Sequence, residues 1–351
     1  MGYQKAGMGS DKTTVLLTRR KKALFYAAYL FILAVLFVAG AEIILRIRGL
    51  KPWRNDAISI QVEPGGKFFT KHPTLGYSHI PGRFTVTLPS GYSFKVTHLP
   101  NTLRIAGPID GNKKPEAKEG IWIFGCSFTH GWYVNDEETY PWLLQERLPE
   151  YDIVNFGVSG YGTIHSLLQF QKALHTNTPR LAVLGYANFH DARNTFSRVR
   201  RKSIAPMNKL GPLVQPYARV DKKGDLHYLF ADVEYTEFPL MRHLALVNFI
   251  ESNYDLLEYK WNRSHAVSEA LVAEMASLAK KHNVKFMLAN ISGGDAMLDF
   301  AAKNGIANVD LFVEFGPAND SRFPNDGHPC VIENRQYAEK LERALRATLL
   351  E

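Results

Sequence analysis

Residues 23–41 run nineteen positions without a charge, Glu42 interrupts the run, and Ile43-Ile44-Leu45 prolongs it. In helical form residues 23–45 would span about 34 Å, enough for the hydrocarbon core of a bilayer. The rhythm then shortens. Segments 82–88 (GRFTVTL) and 92–97 (YSFKVT) alternate apolar and polar positions around a Pro-Ser-Gly turn. That period of two predicts a small β-hairpin module. From Gly120 onward, short apolar runs alternate with longer stretches of helical period. Strands are expected at 121–125, 152–157, 181–186, 284–290 and 306–311. Helices are expected at 140–148, 163–175, about 242–260, 265–282, near 295–304 and 333–350. Strands separated by helices of ten or more residues predict a parallel sheet covered on both faces. Residues 189–241, rich in Arg, Lys, Pro and Tyr, break the alternation and read as a long insertion at a strand's carboxyl end, where binding sites are commonly shaped.

These rhythms divide the chain into a polar tail (1–22), an apolar anchor (23–46), a small β-rich region with its linker (47–115) and an α/β domain (116–351). Charge sharpens the division. The chain carries 42 Lys and Arg against 34 Asp and Glu, a formal charge of +8. Residues 1–54 hold ten of the bases and two of the acids, so the remainder has 32 of each sign and is neutral. The basic excess flanks the apolar segment, as expected beside anionic headgroups, and this excludes a nucleic-acid-binding reading of the net charge. Two other readings of the apolar segment are a buried core helix and a cleavable signal peptide, for which Ala39-Gly40-Ala41 would be the cleavage site. A retained membrane anchor is preferred because the apolar run continues past that site. Six basic residues precede it and four follow, which points to a cytoplasmic N-terminus and an external C-terminal domain.

The chemistry gathers where strands end. Residues 121–131 (IWIFGCSFTHG) carry a buried strand into a tight turn that presents Ser127. Such a strand-to-helix turn exposes a nucleophile at the edge of a parallel sheet. A serine hydroxyl needs a base, the base needs an orienting group, and acyl transfer needs donors aimed at the developing oxyanion. Residues 155–162 (NFGVSGYG), 184–188 (LGYAN) and 325–329 (NDGHP) supply candidates.

Together these segments resemble the four signature blocks of the SGNH/GDSL hydrolase superfamily, over about residues 116–351. More specifically, they resemble the bacterial members with one N-terminal membrane helix and a small β-rich region. The resemblance implies a flavodoxin-like three-layer α/β/α domain with a mainly parallel sheet. It also implies catalysis by Ser127, His328 and Asp326, and an oxyanion hole formed by the amides of Ser127 and Gly160 with Asn188. No cofactor and no metal are implied. The expected activity is a serine esterase or O-acyltransferase on an acyl ester of a cell-envelope carbohydrate or lipid. A catalytically inactive binding or assembly subunit of a membrane-protein complex is the alternative. Three positions depart from the family pattern. Cys126 stands where an Asp usually precedes the serine, Phe189 follows Asn188, and Asp326 lies two residues before His328 rather than three.

His190 and Arg193 are expected to line the substrate pocket, while His130 and His165 read as helix-face or turn residues, and no histidine–carboxylate spacing suggests a metal site. Contact between Ser127 and His328 would also make Cys126 and Cys330 neighbours. Two readings stand: a disulfide between them, replacing the polar contact that relatives make there, or two buried free thiols. The disulfide would support an external location for the domain.

Overall fold

The computed structural model describes residues 18–54, 60–108, 118–314 and 327–350. The chain forms two compact units, one of residues 1–55 with 237–253, the other of residues 56–236 with 254–351.

In the first unit, α1 (Arg19–Ile47) is a continuous helix of 29 residues, long and apolar enough to cross a membrane. Its single buried residue is Glu42. The carboxylate accepts hydrogen bonds from the backbone N–H groups of Ala245 (3.0 Å) and Leu246 (2.9 Å), two amides that a helix N-terminus leaves without intrahelical partners. Arg46, one turn on, pairs with Glu42 and donates to the carbonyl of His243. The charge that interrupts the apolar run is thus a helix cap supplied from a distant part of the sequence.

The second unit begins with β1 (Gln61–Glu63), β2 (Phe69–His72), β3 (Gly76–His79), β4 (Gly82–Thr87) and β5 (Ser93–His98). As the alternation predicts, β4 and β5 pair antiparallel, Thr87 opposite Ser93, with β1 on the outer side of β4. Phe84, Val86, Phe94 and Val96 point into one small core. β2 and β3 form a separate antiparallel pair. Through Arg104 this region joins the next one, because that residue bridges His98 on one side and Asn155 on the other.

The α/β region runs β6 (Gly120–Phe124), α2 (Ser127–His130), α3 (Tyr140–Arg147), β7 (Asp152–Asn155), α4 (Thr163–Leu174) and β8 (Leu181–Ala187). Next come α5 (His190–Asn194), α6 (Arg198–Ile204), β9 (Val214–Val220), β10 (Leu226–Asp232) and α7 (Ala245–Trp261). The chain ends with α8 (Ser264–Lys281), β11 (Lys285–Ser292), α9 (Asp295–Lys303), β12 (Ala307–Asp310) and α10 (Val331–Leu350). The central sheet has the order β12-β11-β8-β6-β7, with every neighbouring pair parallel. Numbered by appearance, its strands lie in the order 2-1-3-4-5, the flavodoxin-like arrangement.

Consecutive residues of β6 serve opposite faces, as the pleat requires. Trp122 and Phe124 pack with Ile164, Leu167 and Phe170 of α4 and with Leu271 and Met275 of α8. Ile121 and Ile123 pack with Leu144 of α3 and with Tyr337, Leu341 and Leu345 of α10. Each such side chain, fully buried, contributes about 1.5–3 kcal/mol of transfer free energy. Because both faces are covered, the strands read as unbroken apolar runs.

The insertion at 189–241 is more ordered than its composition implies. It contains α5, α6 and a hairpin in which β9 and β10 pair antiparallel over seven residues each. Pro216 in β9 and the exposed face of β10 hide the alternation that would have announced these strands.

Candidate active site

Ligand sites in open α/β sheets lie at the carboxyl ends of the strands, where the strand order reverses. Here that crevice lies between β6 and β8. Ser127 follows β6, and the loops after β7 and β8, the strands that flank β6, carry Gly160 and Asn188.

Ser127 opens the one-turn helix α2 and is 6% exposed. Its Oγ lies 3.0 Å from Nε2 of His328, although 201 residues separate the two in sequence. The imidazole is half-buried, with the rings of Tyr133 and Phe128 at 5.2 and 5.4 Å. Asp326, the expected orienter, lies outside the described residues.

The contact is held by a relay of side chains that the sequence motifs did not reveal. Asn334, in the first turns of α10, donates from Nδ2 to the carbonyls of Pro329 and Cys330, so it grips the segment directly after His328. Its Oδ1 accepts from the backbone N–H of Tyr140, and the Tyr140 hydroxyl donates to Oγ1 of Thr129 in α2. The helix that begins with Ser127 and the segment that carries His328 are therefore tied through one buried asparagine and one buried tyrosine. Burial pushes the Tyr140 hydroxyl well above its ordinary pKa, so it remains a donor at any working pH. Asn155 secures the other side, donating to the carbonyl of Thr129 and accepting from the N–H of Gly157. An Asn at a strand end and an Asn one turn into the last helix were the available signals.

The loop after β7 lies against α2. Val158 donates to the carbonyl of Gly125, and a Cβ on Gly157 would stand 2.4 Å from the amide nitrogen of His130. Gly160 has φ +85°, and a Cβ there would meet the Tyr77 hydroxyl at 2.3 Å. Only glycine meets both demands without strain. Among the described residues, neither the amide of Ser127 nor that of Gly160 donates a hydrogen bond, so both are available to an oxyanion. Asn188 is exposed, and its side-chain amide lies against Gly293, on the β11 side of the β8 end.

His190 is fully buried, with Nδ1 3.5 Å from Oγ1 of Thr163, and burial followed by the nearby Arg193 charge depresses its pKa. Arg193 donates to the carbonyl of Tyr161 and covers the Phe189 ring at 4.3 Å, so its guanidinium stands beside the loop of Gly160. Asp191 anchors this short helix by accepting hydrogen bonds from Tyr186, Tyr259 and His265. His165, read from the sequence as a helix-face or turn residue, is fully buried in the first turn of α4.

The candidate disulfide is not formed, and Cys126 and Cys330 are free buried thiols. The Cys330 sulfur turns into the first turn of its own helix, where it accepts the N–H of Ile332. Burial pushes this thiol up to about 11, so it stays protonated. The cysteines therefore give no support to an external location for the domain.

No protein-family model matches the chain, and no curated protein does. Solved structures similar to it include a member of the lipolytic protein G-D-S-L family from Veillonella parvula DSM 2008, at 12% identity over 64% of this chain and 97% of that one, with TM-score 0.36. Another is a GDSL-like lipase from Bacteroides thetaiotaomicron VPI-5482, at 16% identity over 70% of this chain and 91% of that one, with TM-score 0.34. A third is the psychrotrophic esterase EstA from Pseudoalteromonas sp., at 12% identity over 67% of this chain and all of that one, with TM-score 0.35. At these TM-scores the likeness adds no weight to the chain's own strand order and its Ser127–His328 contact.

Proposed function

We propose that this chain is a membrane-anchored serine hydrolase of the SGNH/GDSL type that cleaves or transfers an acyl ester. The observation that carries this reading is the 3.0 Å contact between Ser127 Oγ and His328 Nε2 at the switch point of a 2-1-3-4-5 sheet. In this mechanism Nε2 accepts the hydroxyl proton as Oγ attacks the ester carbonyl. The amides of Ser127 and Gly160 receive the negative charge on the carbonyl oxygen, and the Asn188 side chain joins them by turning from Gly293 toward β6. His328 returns its proton to the departing alcohol, and Asp326 steadies the imidazole. Water then releases the acid, or a second hydroxyl takes the acyl group. Arg193, beside the Gly160 loop, faces incoming substrate. The acyl group is carried by a cell-envelope carbohydrate or lipid, consistent with α1 as a bilayer anchor. The six-to-four basic flanks favour a cytoplasmic N-terminus and a catalytic domain on the far side.

A fluorophosphonate probe tests the assignment directly. Stoichiometric labelling that maps to Ser127 and disappears in Ser127→Ala supports it. Folded protein that resists the probe and leaves p-nitrophenyl acetate intact overturns it in favour of a binding subunit. Reporter fusions at the two termini test the orientation, which fails if the C-terminal reporter is active in the cytoplasm.

A further inference from the structure

Three histidines far apart in sequence meet beside the nucleophile. His79 ends β3, His98 ends β5, and His130 ends α2, three residues after Ser127. Their exposures are 0, 2 and 0%. One ring nitrogen from each lies within 4.8 Å of the other two.

The hydrogen bonding of this cluster is incomplete in an informative way. His98 Nδ1 lies 3.0 Å from the carbonyl of Ile80 and can only donate to it, so Nε2 of the neutral ring is a bare lone pair. That nitrogen faces Nε2 of His130 at 3.0 Å. A shared proton would account for this pair alone. It would leave Nδ1 of His130 and both ring nitrogens of His79 buried without partners, each a costly omission. Imidazoles bridged by one tetrahedral ion at ordinary metal–nitrogen distances place their nitrogens about 3.4 Å apart. A metal-bound histidine characteristically donates its other nitrogen to a backbone carbonyl, as His98 does to Ile80.

We propose that His79, His98 and His130 bind one transition-metal ion of the class that favours imidazole, zinc being the first candidate. Parallel rings do not aim their lone pairs at one point, and His79 stacks on His98 at 4.1 Å and 14°, so binding turns the His79 ring out of that stack. Arg104 does not stand as an unbalanced cation beside the ion, because Asp136 and four backbone carbonyls take its donors. The ligands come from two strands of the β-rich region and from α2. The ion therefore pins that region to the one-turn helix that begins with Ser127. Its role is structural, and no step of ester cleavage passes through it.

The test uses the full chain, without a polyhistidine tag, purified in detergent from zinc-supplemented cells. Elemental analysis is expected to find one zinc per chain, and chelation should lower Tm by several degrees. Cobalt(II) added to the stripped protein should give the visible absorption of a nitrogen-rich tetrahedral site. His79→Phe, which keeps a flat ring among the neighbouring Phe68 and Phe69, should abolish both signals, with a Tm equal to that of stripped wild type. Ser127→Ala should keep both. Wild-type protein that holds no zinc, and shows no cobalt band or Tm change with added metal, overturns the proposal. So does a His79→Phe protein that binds as wild type does. If that variant does not fold, the wild-type measurements decide.

Discussion

The two ends of α2 make contacts of the same length in opposite surroundings. At its first residue, Ser127 Oγ meets His328 Nε2 at 3.0 Å, and that imidazole is half-buried. At its last residue, His130 Nε2 meets His98 Nε2 at 3.0 Å, and both rings are shut away from water. Burial, reinforced by the charge of Arg104, pushes His98 down to about 3, so it cannot exchange protons near neutrality. The contact distance is the same, and the environment decides the use. An imidazole that reaches solvent and substrate can serve as a base, whereas one that stays neutral in the interior is suited to packing or to metal. One turn of helix separates the two regimes.

The largest effect should come from breaking the exposed end alone. Ser127→Ala is expected to lower kcat/KM for p-nitrophenyl acetate by about 10⁴-fold or more, with the thermal midpoint unchanged. Adding His328→Ala should cost little further, because the two residues act as one unit. Additive losses in the double-mutant cycle would argue against the assignment.

The support of the buried end is the next target. Arg104 donates to the carbonyls of His130 and Gly131 and pairs with Asp136 at 3.0 Å. Arg104→Met leaves that carboxylate and those carbonyls without their partner, and chemical denaturation should show a loss of about 3–5 kcal/mol. A change below about 1 kcal/mol would mean that the β-rich region does not support α2.

A smaller loss is expected at Gly160. An alanine there must adopt a φ near +85° and displace the Tyr77 hydroxyl. Gly160→Ala should cost about 1–3 kcal/mol of stability. Turnover should fall by more than stability explains, because in the proposed mechanism the same backbone amide receives the oxyanion.

The smallest effect uses a buried histidine remote from either end. His165 Nδ1 accepts the N–H of Gly162, so Nε2 carries the proton and donates to Oε1 of Gln215. Burial, then the charge of Arg200, depresses its pKa to about 3, with Arg193 adding to the effect and Gln215 opposing it. The unfolded chain, with an ordinary imidazole near 6.5, takes the proton first as pH falls. This contribution to stability is complete above the unfolded value and is lost on acidification from about 6.5 toward 3. Between pH 7.5 and 5.5 it should amount to about 1 kcal/mol, measured as a difference in unfolding free energy. His165→Gln should reduce the total pH dependence by that amount, the other buried histidines keeping theirs, and an unaltered slope would place the titration elsewhere.

The sequence made the Ser127–His328 pair legible because each residue sits in a local frame with its own signature. Ser127 ends an apolar strand run, and His328 precedes a long amphipathic helix. The parallel sheet was legible for the same reason, since runs buried on both faces look unlike hairpin strands. What could not be read depends on tertiary convergence. The tie from Asn334 through Tyr140 to Thr129 joins three elements with no common spacing. The histidine cluster left one partial signal. The alternation that buries Phe94 and Val96 continues to His98, so its inward direction was visible while its partners were not. The candidate disulfide failed on side-chain direction. Adjacency of two segments does not fix where their sulfurs point, and the Cys330 sulfur faces its own helix.

Glu42 has a consequence for the order of events during synthesis. The amide of Ala245 that it caps is 203 residues further along the chain. At ordinary rates of about 5–20 residues per second, some 10–40 s pass before that partner exists. For that interval the ribosome has delivered an apolar helix with a carboxylate near its end and only Arg46 beside it. Whatever machinery receives the nascent chain must tolerate that charge until its final partner arrives, 203 residues later.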